Sequence, residues 1–80
     1  MSVDKYQGLK AADMIRVLRK LGYRQIGKGK KSVKVFEDGE GHLVVTPSNP
    51  EEEMYSKAVW WILHSIHLPD EEFDRLRKGA

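Results

Sequence analysis

Three histidines are the only side chains in this chain of 80 residues that ordinarily titrate near neutral pH, and there is no cysteine. His64 and His67 lie three apart, so one helical turn could direct both imidazoles at one ion. No third ligand shares that spacing, and the expectation is no metal. His42 follows a turn signal and opens what reads as a third strand. It is the one histidine that could serve as an acid or base beside the basic stretch, although an edge-strand histidine is more often simply solvated. Glu51–Glu53 and Asp70–Glu72 read as helix-start charges, so no catalytic constellation stands out. Phosphate recognition is better served. Arg24, Lys28, Lys30, Lys31 and Lys34 fall between Tyr23 and Phe36 with no acid before Glu37, and Ser32 sits among them. Gly27 and Gly29 let the backbone turn and expose its N–H groups. Lysines beside exposed N–H groups suit phosphate oxygens without reading bases. The other reading is a solvated hairpin in a basic protein. No helix follows the two glycines, so they do not form a dinucleotide loop.

Trp60 and Trp61 are the other side chains that ask for a role. Adjacent helical residues point about 100° apart, so both cannot sit centrally on one buried stripe. With Val59, Ile62 and Ile66 inward, Trp60 is expected on the outer side with Ser56, His64 and His67. Trp61 is expected at the boundary against the last helix. A half-exposed tryptophan is a favoured interface anchor. Trp60, Trp61 and His64 are therefore the candidate protein-binding residues, with boundary packing as the alternative.

The elements that would position these residues follow from periodicity. Ala11, Met14, Ile15, Leu18 and Leu21 recur at helical spacing, and Gly22 ends that helix. Tyr23 to Gly27 and Ser32 to Glu37 read as strands. In the second strand a β-branched face of Val33 and Val35 opposes a mixed face of Lys34 and Phe36. Asp38-Gly39-Glu40-Gly41 is a tight-turn signal, His42 to Thr46 a third strand, and Pro47 its end. Asn49-Pro50-Glu51-Glu52 carries a cap, a first-turn proline and a capping-box acid, which predicts a helix from there to about His67. Val59, Ile62, Leu63 and Ile66 would form its core stripe, supported by Met54, Tyr55 and Ala58. Asp70 to Lys78 reads as a short last helix docked through Phe73 and Leu76. Residues 1–8 read as a loose lead-in to a single domain over 1–80. The expected fold is an α+β, α-β-β-β-α two-layer domain: a three-stranded antiparallel sheet, two helices on one face and a short C-terminal helix. That order is also the order of the double-stranded-RNA-binding fold.

Composition narrows the setting. Eighty residues make one small domain with a thin core. Residues 1–48 carry ten lysines and arginines against five acids, whereas residues 49–80 carry four against seven. A polyanion would meet the first part and be repelled by the second. There is no apolar run long enough to span a bilayer, and the N-terminus lacks a signal-peptide layout. Together with the lack of cysteine, these point to a cytoplasmic protein.

The residue pattern resembles the HicA toxin family. Asp13-Met14-Ile15-Arg16-Val17-Leu18-Arg19-Lys20-Leu21-Gly22-Tyr23 is similar to the family's opening helix, which ends in Gly-Phe or Gly-Tyr. Lys30 through Asn49 lies without gaps on its central segment, where Gly-Ser-His-His leads through a hairpin to Val-Pro-x-His. Ile62-Leu63 through Leu68-Pro69-Asp70-Glu71-Glu72-Phe73 resembles its ending. The likeness covers roughly residues 10–77. It implies the scaffold of a small ribonuclease that cleaves mRNA and is neutralised by a HicB partner. The departures fall at the chemistry. Gly-Ser-His-His lies on Lys31-Ser32-Val33-Lys34, so Val33 stands at the catalytic histidine, and Asn49 stands at the later one. Valine cannot carry a proton.

The expectation is thus a HicA-like domain that binds RNA or a ribonucleoprotein through Arg24, Lys28, Lys30, Lys31, Ser32 and Lys34 and interferes with translation without cleaving. A protein-interaction module using the Trp60/Trp61 face is the alternative, and an mRNA interferase with a non-standard group such as His42 is the third. The partners implied are RNA or the ribosome, a HicB-like antitoxin or other protein, or a second copy. No cofactor and no membrane are expected.

Overall fold

In a computed structural model, Tyr6, residues 8–27 and residues 33–78 are described. Helix α1 spans Ala11–Lys20. Strands β1, β2 and β3 span Arg24–Gly27, Val33–Glu37 and Leu43–Pro47. Helices α2 and α3 span Ser56–Ser65 and Asp70–Lys78. The strands form one antiparallel sheet in the order β1-β2-β3, as the α+β expectation required. No described helix is long and apolar enough to cross a membrane.

Helix α1 forms where the periodicity places it. It buries Ala11, Met14, Val17 and Leu18. Leu21, expected in that stripe, is instead the exposed cap residue, and Val17 takes the inward place. Gly22 closes the helix at φ +96°, with its N–H donating to the Arg19 carbonyl and the Tyr23 N–H to the Leu18 carbonyl. This two-bond closure satisfies carbonyls that would otherwise be orphaned.

The start of α1 explains the largest departure from expectation. Its first N–H groups have no partner within the helix. Ala11 donates to the Glu52 carbonyl at 2.8 Å and Ala12 to the Pro50 carbonyl at 3.0 Å, while Met54 donates back to Leu9 at 2.7 Å. Residues 50–54 are therefore a strap across α1, and α2 starts at Ser56 rather than at Pro50. The Asn49 signal survives as a single turn. Its Oδ1 accepts the Glu51 N–H at 3.0 Å, and the Glu52 N–H reaches the Asn49 carbonyl at 3.0 Å. Met54 is buried as the strap's apolar anchor, whereas Tyr55, expected to support the core, is exposed. At its other end α2 closes on His67 at φ 57°, with His67 N–H to the His64 carbonyl and Leu68 N–H to the Leu63 carbonyl.

The expectation of a loose lead-in fails at Tyr6. Its ring is buried edge-on against Phe73 with centroids 5.3 Å apart, and its hydroxyl donates to Asp70 Oδ1 at 2.6 Å. Burial and the neighbouring carboxylate push this phenol well above its ordinary range. Leu9 is buried with it. Tyr6 therefore helps fasten α3 to the body.

The two faces of the sheet differ. Phe36, Val44 and Thr46 are buried, and Phe36 and Val44 share one core with Met14, Leu18, Val59, Leu63 and Phe73. The helices thus cover the mixed face. The β-branched face, with Val33, Val35, Leu43, Val45 and Pro47, is not covered by them: Leu43 and Val45 are exposed and the others half-buried.

Candidate protein-binding surface

Register brings the residues of the uncovered face together. Val33 pairs with Pro47, Val35 with Val45 and Glu37 with Leu43, so their side chains share one side of the sheet. Leu43 is 58% exposed and Val45 50%. Strand β3 is an edge strand among the described residues. Beside it lies a mostly apolar groove of about 420 Å³, lined by Val33, Val45, Pro47, Met54, Tyr55 and Trp61 among others, with Glu52 and Glu53 on its wall. Tyr55 is 85% exposed and Trp61 59%. The groove exists because the strap, anchored by Met54, carries the chain away from β3 before α2 begins.

The tryptophans exchange the places expected of them. Trp61 is the exposed ring on the groove. Trp60 is half-buried, stacked on His64 at 4.5 Å between centroids and edge-on to Trp61 at 5.6 Å. Measured from Val59 at the centre of the buried stripe, Trp61 lies roughly 200° round the helix and Trp60 about 100°. Trp61 therefore points furthest from the core. His64 is exposed and supports the Trp60 ring. His67 is taken up in closing α2, and the two imidazoles are not brought to a common ligand site by any described contact.

Of the basic candidates, Arg24 and Lys34 are described, and they lie on opposite faces of the sheet. Arg24 pairs with Glu37 on the uncovered face, whereas Lys34 pairs with Thr46 on the face of Phe36 and is half-buried. Lys28, Lys30, Lys31 and Ser32 lie outside the described residues.

His42 sits in the turn between β2 and β3, beyond the Glu37 end of β2. Its Nδ1 lies 2.8 Å from Asp38 Oδ2, and Asp38 Oδ1 accepts the N–H groups of Glu40 and His42, each at 2.9 Å. The Asp38 carboxylate raises the imidazole pKa. Partial burial alone would raise the carboxyl of Asp38, but the bonds from His42 and Glu40 outweigh it and lower that pKa. Ligand atoms of Asp38, Glu40 and His42 come within 4.8 Å of one another. The hydrogen bonds given to Asp38 make this trio first of all the lock of the β2–β3 turn.

Val33, Leu43, Val45 and Tyr55 were missed as site residues. The alternation along Leu43–Pro47 announced a two-faced strand, but not which face the helices would cover. No protein-family model, curated protein or solved structure matches the chain.

Proposed function

We propose that this domain is a protein-binding module whose partner docks on the uncovered sheet face and the groove between β3 and α2. The observation that carries this reading is that exposed Val45, Tyr55 and Trp61 line one apolar groove, with exposed Leu43 on the same sheet face as Val45. Apolar patches of this kind, rimmed by charge, mark interaction surfaces on small soluble domains. The HicA resemblance sets Val33 at the catalytic histidine, and Val33 lies on this same face. An apolar residue there neither gives nor takes a proton but extends the docking surface, so the domain binds rather than cleaves.

The test uses a partner that co-purifies with the full chain after ribonuclease treatment, identified and then purified. Trp61→Ser should weaken its binding at least about tenfold, as loss of a central aromatic anchor does. Arg19→Glu, at an exposed position on α1 away from this face, should leave binding within about twofold. Binding unchanged by Trp61→Ser and by Val45→Glu would contradict the proposal.

A second reading, RNA contact through the basic hairpin, is favoured by the run of Arg24, Lys28, Lys30, Lys31 and Lys34 with no acid before Glu37. It would keep the HicA-like role in translation. On this reading, reversing Lys30, Lys31 and Lys34 abolishes binding to an RNA duplex, and binding by the unaltered chain falls steeply with added salt. A flat salt response would contradict it.

A further inference from the structure

Strand β3 offers more than side chains. The Asp38 N–H donates to the His42 carbonyl at 3.2 Å, which fixes the hydrogen-bonding phase of the hairpin. Bonded pairs alternate along an antiparallel ladder, so Phe36 exchanges bonds with Val44 and Lys34 with Thr46. The N–H and C=O groups of Leu43 and Val45 therefore point away from β2, toward the open edge, as does the Pro47 carbonyl. Such an edge is a template for another strand. Here the groove runs alongside it, with Trp61 and Tyr55 across from Val45.

Charge indicates which strand fits. Both ends of β3 are acidic, with Asp38 and Glu40 before it and Glu51, Glu52 and Glu53 after it. His42 already faces Asp38, and Lys10 already faces Glu51 at 3.0 Å. Glu40, Glu52 and Glu53 remain exposed. A second copy paired antiparallel through β3 would set the Glu40 turn of each chain against Glu52 and Glu53 of the other. Like charges opposed across strands are destabilising. A partner with basic residues at both ends of its strand meets the opposite situation.

We infer that β3 binds an extended peptide segment of another protein, which adds to the sheet as a fourth strand. Its alternate apolar side chains enter the groove against Trp61 and Val45, and a lysine or arginine at each end faces Glu40 or the Glu52–Glu53 pair. Backbone bonds from Leu43 and Val45 supply affinity, and the groove and acids supply selectivity. A basic side chain at the Glu52 end can also lie over the rings of Trp61 or Tyr55. This deepens the protein-binding reading and rests on it.

The test is selection of phage-displayed random peptides on the immobilised full chain, with Val45→Pro and Trp61→Ala as comparison targets. The Val45 N–H points to the edge, so proline removes no bond to β2. Enriched peptides should alternate apolar residues between terminal lysines or arginines, and should lose at least tenfold affinity on both variants. Titrating a selected peptide into the labelled, unsubstituted chain should move the Leu43 and Val45 amide resonances, a readout that holds even if Val45→Pro folds poorly. Peptides that depend on Trp61 but not on Val45, leave those amides unmoved or lack the basic ends would overturn strand addition and leave the protein-binding reading standing. No enrichment over Trp61→Ala would overturn both.

Discussion

At the scale of single residues, the contacts separate groups that hold the fold from groups left exposed. His42 belongs to the first kind. Its ring and main chain both bind Asp38. The histidine pKa is raised in the folded state, so its contribution is fully present below the ordinary value of 6.5 and is lost as pH rises through the raised value. The Asp38 pKa is lowered, so its share is present above the ordinary 3.8 and is lost as pH falls through the lowered value. The stability difference between the unaltered chain and His42→Ala should therefore be largest between about pH 4 and 6.5, and should shrink toward pH 8. Thermal melts across that range provide the check, and a difference that grows toward pH 8 would contradict it. Trp61 belongs to the second kind. The helical wheel already placed it opposite Val59, yet the expectation fell on Trp60 because Ser56, His64 and His67 supplied a polar outer face. His64 instead stacks on Trp60 and turns that side into a local aromatic–imidazole contact.

At the scale of elements, α1 and α3 were legible because their information is local. An apolar stripe with a glycine stop defines α1, and an acidic first turn with a basic last turn defines α3. The start of α2 was not legible, although every local capping signal at Asn49 was real. A tertiary requirement prevails there: the N–H groups of Ala11 and Ala12 need acceptors, and the carbonyls of residues 50–52 provide them. Nothing in residues 49–55 alone announces this demand from 40 positions earlier. The uncovered sheet face escaped for a related reason, since Val33 and Val35 look more core-like than Lys34 and Phe36 until Phe36 is seen to fill the core. The strap is held by Met54, so Met54→Ala should lower stability by about 2–5 kcal/mol, as other large-to-small core changes do. It should also loosen the groove wall that the strap forms. Denaturant titration measures the first effect, and a loss below about 1 kcal/mol would mean that the strap is held by its backbone bonds alone.

At the scale of the whole molecule, one core is closed on one side of a three-stranded sheet, and the other side is left apolar beside an open edge. Charge is distributed to match. The basic excess lies in residues 1–48, while acids flank β3 and begin α3. On the proposed reading, the acids at both ends of β3 face the basic ends of the partner strand. The most direct test compares amide hydrogen exchange in the chain alone and with its purified protein partner. In the free chain, Leu43 and Val45 should exchange fast while Val44 and Thr46 are protected. Binding should protect Leu43 and Val45 and slow exchange across residues 55–61. Protection confined to residues 24–34, with Leu43 and Val45 unchanged, would contradict the account.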